Sequence, residues 1–147
     1  MNEAFEIEEV IKNNGMYVST VSGYSMSPFL KDRRDTVVIL PPPEKIKKYD
    51  VVLYRYKERY VLHRVVRVRG DELVMCGDNR TEREYGITVS EIIGVLSEVY
   101  RGDKKVKLNG VGYQIYKRCA VLGFYPRRLW RTFKGFCGRK KREREKF

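Results

Sequence analysis

Between residues 16 and 108 the apolar positions fall in short runs and alternations, separated by turn-forming residues. Met16 to Val21 reads as a first strand that enters a loop over Ser22–Pro28, with one helical turn expected from Pro28 through Leu30. Thr36–Leu40 is a second strand, stopped by the stiff Pro41-Pro42-Pro43. Asp50–Tyr56 and Tyr60–Arg69 read as antiparallel partners across the polar turn Lys57-Glu58-Arg59. In the return strand, alternation puts Val61, His63, Val65 and Arg67 on one face and Leu62, Arg64, Val66 and Val68 on the other. Gly70-Asp71 turns into Glu72–Cys76, which Gly77-Asp78-Asn79 ends. Ile92–Arg101 and Lys104–Leu108 form a further expected hairpin around Gly102-Asp103.

Helical spacing occurs only at the two ends. Residues 2–13 carry Phe5, Glu8, Glu9 and Lys12 at helical intervals, and Asn13-Asn14-Gly15 ends them. Val111–Leu122 is expected to be a second helix; Phe124 to Phe136 then interleaves aromatics and leucine with Arg and Lys, and Arg139 to Phe147 is a charge run expected to fray. The fold class is therefore mainly β, with a short N-terminal helix and a basic C-terminal helical tail. One domain is expected over residues 1–110, and a basic, aromatic-rich tail over 111–147.

Composition supports one core. The chain has 147 residues, 42% of them hydrophobic, including eleven Tyr and six Phe, which favour strands. Its net charge of +12 is unevenly spread: residues 117–147 hold twelve Lys or Arg against Glu143 and Glu145, so all but +2 of the charge lies there. Such asymmetry points to an anionic partner, membrane or nucleic acid. Trp130 and its neighbours fit an interfacial helix on an anionic leaflet; an equal reading packs Val111–Phe136 on the domain core and leaves Arg139–Lys146 solvated. No recognised nucleic-acid module accompanies the charge, which makes nucleic acid the weaker expectation.

Cys76, Cys119 and Cys137 are odd in number and lack CxxC spacing, so no disulfide framework or zinc site is read from them, and a reducing cytosol is the simplest setting. Met1 to Val10 is acidic, without the basic and apolar regions of a signal peptide, and no window approaches the about 18 apolar residues of a spanning helix. A cytoplasmic protein, or one peripheral at the cytoplasmic membrane, is expected.

The candidate chemistry lies in Ser22-Gly23-Tyr24-Ser25-Met26-Ser27-Pro28 and in His63, the sole histidine. A serine hydroxyl becomes a useful nucleophile when a base takes its proton, and a tight turn lets nearby N–H groups hold an oxyanion. Gly23 and Pro28 supply turn chemistry around Ser25, and His63 suits the base. Asp78, at a strand end, is the best-placed carboxylate to orient the imidazole; Glu82 and Glu84 are the alternatives.

Five boxes occur in order: Gly23-Tyr24-Ser25-Met26-Ser27-Pro28, Asp35-Thr36-Val37-Val38-Ile39, Tyr49-Asp50-Val51-Val52-Leu53-Tyr54, Val61-Leu62-His63-Arg64-Val65-Val66 and Met75-Cys76-Gly77-Asp78-Asn79-Arg80. Over roughly residues 17–100 this series resembles the type I signal peptidases within the wider S24/S26 serine peptidases. The resemblance implies a twisted β-sheet fold of the signal peptidase/LexA kind and cleavage of a leader or signal-like peptide after small side chains. It implies Ser25 as nucleophile, His63 as base in the serine–histidine branch, Asp78 as supporting carboxylate, and oxyanion or substrate contacts among Ser22, Gly23, Tyr24 and Met26. No metal or cofactor is implied.

The chain departs from the pattern at several points. Gly23, two before the serine, offers no side-chain hydroxyl, so the Ser25 N–H, helped by Ser22, would hold the oxyanion. Tyr49 stands where glycine is usual, Glu82 and Glu84 stand where a second Asp often follows, and the usual N-terminal anchor is not seen. Two other readings stay open. A self-cleaving regulator predicts a DNA-binding domain upstream of a cleavable linker, whereas about twenty residues precede Ser22. A non-catalytic module of the same fold would use its basic tail on an anionic membrane or nucleic acid.

Overall fold

The computed structural model describes residues 3–123. The expected segments Phe124–Phe136 and Arg139–Phe147 lie outside them. Eight strands form one sheet with antiparallel pairing throughout: β1 Tyr17–Thr20, β2 Asp35–Leu40, β3 Val51–Tyr56, β4 Arg59–Arg69, β5 Glu72–Cys76, β6 Glu84–Thr88, β7 Ile92–Arg101 and β8 Lys104–Lys105. The spatial order is β1-β2-β7-β3-β4-β5-β6, with β8 on β7. Two α-helices, α1 Glu3–Asn14 and α2 Val111–Leu122, and a 3-10 turn at Val89–Glu91 complete the regular elements of the described residues.

β3 shows why the sheet is covered on both faces. Its run Val51-Val52-Leu53-Tyr54 is wholly buried, so neither face of the alternation meets water. Val51 and Leu53 pack with Ile11 of α1, Phe29, Leu30, Val37, Ile39 and Val99. Val52 and Tyr54 pack on the opposite face with Ile46, Val65, Leu73, Met75, Ile87 and Ile92. Gly94 on β7 is small because the neighbouring strand β2 crowds it, with Ile11 of α1 in contact above. A Cβ there would lie 2.4 Å from Ile39 Cγ2, 2.8 Å from the Leu40 carbonyl and 3.4 Å from Ile11 Cδ1.

The β3–β4 hairpin closes with only two residues, Lys57 and Glu58, between the paired Tyr56 and Arg59. Their φ values of 47° and 64° give the doubly left-handed turn whose twist matches the strands. Further along β4 the register jumps from Val65↔Met75 to Arg67↔Val74. Val66 is thus an extra residue in a bulge, and the strict alternation expected through Val68 ends there. Val65 and Val66 are both buried, while Arg67, Val68 and Arg69 are all exposed.

Other departures are local. The expected turn at Pro28–Leu30 is non-helical apart from a single bond, Leu30 N–H to the Met26 carbonyl at 3.0 Å. β8 is shorter than Lys104–Leu108, and β6 was not expected. α2 has the expected bounds, and it packs on the core, one of the two readings its sequence allowed. Its Val121 joins Val66, Val74 and Cys76 in a buried cluster, and Tyr113 and Tyr116 lie 5.1 and 5.8 Å from the Phe29 ring.

Gly94→Ala should destabilise the fold by about 1–3 kcal/mol, since Ile39 and the Leu40 backbone must both give way. Urea unfolding followed by circular dichroism reads this loss, and an unchanged midpoint would refute the close approach of β2 to Gly94.

Candidate active site

Ser25 sits in a loop fixed at its base by the first residue of β2. The Asp35 carboxylate, fully buried, accepts from the Lys31 N–H at 3.0 Å and from Arg34 Nε and Nη2 at 2.6 and 2.9 Å. Its backbone carbonyl accepts from the Val21 N–H at 2.8 Å, closing the loop. Burial pushes the Asp35 carboxyl up, but Arg34, the Lys31 N–H and Arg101 outweigh it and hold the group below its ordinary range. Gly23, at φ 97°, takes a conformation that suits glycine, and a turn follows in which the Ser27 N–H reaches the Tyr24 carbonyl at 3.2 Å.

The turn after β5 meets this loop. The Asn79 N–H donates to the Ser25 carbonyl at 2.8 Å, and Asn79 Nδ2 donates to the Tyr24 carbonyl at 3.2 Å. Gly77 is required by the same approach. A Cβ on it would lie 2.5 Å from the Ser25 carbonyl oxygen and 3.1 Å from His63 Nε2. The Ser25 backbone and the Nε2 edge of His63 therefore crowd one point. Ser25 and His63 also line a common cleft of about 700 Å³, together with Ser22, Gly23, Tyr24 and Met26.

The other ring nitrogen of His63 is held from behind. Its Nδ1 lies 3.1 Å from Tyr54 Oη and 3.2 Å from Glu84 Oε2, and the Tyr54 hydroxyl donates to that same Glu84 oxygen. With the phenol proton committed to Glu84, Nδ1 is assigned the proton it shares with the carboxylate. Nε2, facing the serine loop, is left with its lone pair. Burial and then Glu84 hold the Tyr54 phenol far above the usual tyrosine range, so it stays a donor. Burial pushes Glu84 up as well, but the hydrogen bonds from His63 and Tyr54 and the charge of Arg80 offset it, and its carboxyl stays below the ordinary value.

Asp78 does not orient His63, and that expectation is corrected. Both of its oxygens are taken by Arg64, with Nε to Oδ1 at 2.7 Å and Nη2 to Oδ2 at 2.8 Å, and Tyr116 Oη donates to Oδ2 at 2.9 Å. Arg64 Nη1 donates to the Tyr49 carbonyl at 3.0 Å and to Tyr113 Oη at 3.1 Å. The guanidinium also lies 5.3, 5.7 and 5.9 Å from the rings of Phe29, Tyr113 and Tyr116. Burial works against the charge, but Asp78 outweighs it and raises the Arg64 pKa above its ordinary value.

Register explains the exchange of carboxylates. Arg64 pairs with Cys76, and Asp78 lies two residues on, which returns it to the Arg64 face. His63 pairs with Val52, and Tyr54 lies two residues on, so Tyr54 shares the His63 face. Glu84, the first residue of β6, reaches that face from the far side of β5 and opposite Met75. Tyr54 and Arg64 were missed in the sequence. Their signal was the pairing of the β3–β4 hairpin carried forward two residues.

The expected oxyanion and substrate contacts divide. The Gly23 N–H is spent on Asp32 Oδ1 at 2.7 Å, so it is not the oxyanion donor. Met26 is buried in the core beneath the loop, while Tyr24 and Ser22 stand exposed at the cleft. Glu82 is exposed and lines the cleft wall. Tyr49, in place of a usual glycine, adopts φ 80° and presents its carbonyl to Arg64. Among the described residues no His, Cys, Asp and Glu side chains cluster in a way that would hold a metal ion, and no helix is long and apolar enough to cross a membrane. The membrane expectation for residues 117–147 lies, beyond Gly123, outside the described residues. No protein-family model matches the chain, and no curated protein matches it.

Asp78→Ala leaves the Arg64 charge buried without its carboxylate and should cost about 3–5 kcal/mol in urea unfolding. A loss below about 1 kcal/mol would refute the buried pair. The pH dependence has a definite sign. Asp35 and Glu84 have folded pKa values below their unfolded ones, so their stabilisation is complete above the ordinary carboxylate range near about pH 4 and is lost as pH falls through the lowered values. Stability measured from about pH 6 down to about pH 3 should fall, and should fall less in Asp35→Asn.

Proposed function

We propose that this chain is a serine endopeptidase of the signal-peptidase kind, with a twisted sheet of the signal peptidase/LexA type and a Ser25–His63–Glu84 catalytic set. The observation that carries the reading is the two-sided environment of His63. Nδ1 is held by Glu84 and Tyr54, and Nε2 turns to the point where the Ser25 backbone and Gly77 meet.

In this mechanism His63 Nε2 takes the Ser25 hydroxyl proton as Oγ attacks the scissile carbonyl carbon. The tetrahedral oxyanion is held by N–H groups of the serine turn. His63 then gives its proton to the leaving amine, the C–N bond breaks, and an ester forms on Ser25. A water loses its proton to His63 as it attacks the ester, and collapse of the second tetrahedral species returns that proton to Oγ and frees the carboxylic product. Glu84 stabilises the imidazolium formed in both halves. Asp78 and Arg64 act behind the reacting atoms: their pair ties the Gly77 turn to the strand that carries His63.

The substrate is an extended peptide. β4 pairs with β5 only from Arg64 onward, so Arg59–Leu62 pairs with β3 along one edge and lies along the cleft with the other. A peptide added there gains main-chain hydrogen bonds and passes Ser25. Lys57, Arg59, Arg80 and Arg83 rim the cleft against Glu82, with Glu84 already committed to His63 and Tyr54. Peptides with acidic residues flanking the scissile bond are the favoured substrates.

A fluorogenic peptide library, assayed with the intact protein and with Ser25→Ala, His63→Ala and Glu84→Gln, tests this reading. Turnover should vanish in the first two variants, fall about 100-fold or more in the third, and be fastest for acid-flanked peptides at low salt. Turnover by Ser25→Ala or His63→Ala equal to that of the intact protein would sink the mechanism.

A further inference from the structure

α2 carries apolar side chains on both of its long faces. The inner face, through Tyr113, Tyr116 and Val121, packs on Phe29 and the Val66–Val74–Cys76 cluster. The outer face presents Val111, Ile115 and Leu122, which are 76%, 58% and 68% exposed, with exposed Cys119 between them. Positions 111, 115, 119 and 122 follow helical spacing, so they form one stripe along the whole helix. A helix on the surface of a water-soluble domain ordinarily turns polar residues outward. Here the outward stripe has the composition of a face that is covered.

The charges beside it are of one sign. α2 contains no acidic residue, and its two charged residues are Lys117 and Arg118. Both lie against the Tyr49 ring, at 5.6 and 5.9 Å, and Lys48 lies over the same ring at 5.0 Å. Three cations thus gather along the helix. Asp78, the carboxylate packed beneath α2, is already taken by Arg64. The chain that leaves α2 adds ten Lys or Arg against two Glu over residues 124–147, with Phe124, Tyr125, Trp130, Phe133 and Phe136 interleaved.

We propose that the outer face of α2 docks on an anionic lipid surface. The Val111–Ile115–Cys119–Leu122 stripe enters the interface, and the exposed Lys48 and Arg118 meet the headgroups, while Lys117 stays in the inner row between Tyr113 and Val121. An apolar stripe flanked by cations is the chemistry that an anionic bilayer surface takes up. Charge complementarity selects this occupant. A second copy, or the chain's own basic segment folded back, would set cations against cations. The contact begins at Val111, upstream of the region that charge alone marks out.

The test uses the full chain and vesicles of phosphatidylcholine, with and without about 30% phosphatidylglycerol. Co-sedimentation should be strong with the anionic vesicles, weak with the neutral ones, and reduced by added salt. Ile115→Glu/Leu122→Glu changes only exposed positions, so its melting temperature should match that of the parent while its vesicle affinity falls about tenfold or more. Unchanged affinity in that variant would overturn the proposal, and so would equal binding to both vesicle types. Sedimentation velocity without lipid gives an independent arm. A dimer that the same substitutions convert to monomer would assign the face to a second copy and also overturn it. Hydrolysis of soluble peptides should be the same in parent and variant, so the outcome stands apart from that of the peptidase reading.

Discussion

The Arg64–Asp78 ion pair is the constraint on which the rest of the site depends. Its two members neighbour His63 and Gly77, which meet beside the Ser25 carbonyl: Arg64 follows His63 in β4, and Asp78 follows Gly77 after β5. A bidentate bond between them fixes how far these strands can separate. The same pair collects Tyr113 and Tyr116 of α2, the carbonyl of Tyr49, and the ring of Phe29 at the end of the serine turn. Four separate stretches of chain therefore converge on one buried charge, which tolerates its position because its hydrogen-bond donors are met and aromatic rings surround it. The proposed reacting groups lie on the other side of β4, where the alternation of the strand keeps a separate carboxylate, Glu84, for His63.

This division of labour explains what the sequence revealed and what it hid. The helices and most strands were legible because their patterns are strong: Val111–Leu122 has helical spacing, and Val51–Tyr56 and Arg59–Arg69 alternate around a polar turn. Ser25 and His63 were singled out by residue type, and the structure places both on one cleft. β6 was hidden because it is an edge strand with a glycine at 86, a charged approach, and only Ile87 buried. The bulge at Val66 was hidden because nothing in a Val-Val pair announces an extra residue. The carboxylate assignment failed for a related reason. Asp78 is close to the site in sequence and carries the expected flanking residues, but strand register sends it to the opposite face.

Tyr49 shows how a departure from an expected pattern is accommodated. The backbone there adopts φ 80°, which glycine takes without cost and tyrosine does not. The ring offsets this by standing among Lys48, Lys117 and Arg118, while the carbonyl serves Arg64. The residue thereby joins the underside of the proposed site to the cationic flank of α2. Such a linkage is a reason for helix and sheet to keep their relative positions when the outer face of the helix is occupied.

The open edge of β4 has a further consequence. Unpaired N–H and C=O groups over Arg59–Leu62 are available to any extended segment, including the same edge of another molecule. Sheets left in this state are prone to join edge to edge. Here Lys57 and Arg59 stand at the start of that edge, and cations at an edge strand discourage such pairing. A foreign peptide with acidic flanks meets the opposite field. On the proposed reading, the charges that rim the cleft guard against self-association as well as guide a substrate, so neutralising those two cations should cost solubility along with selectivity.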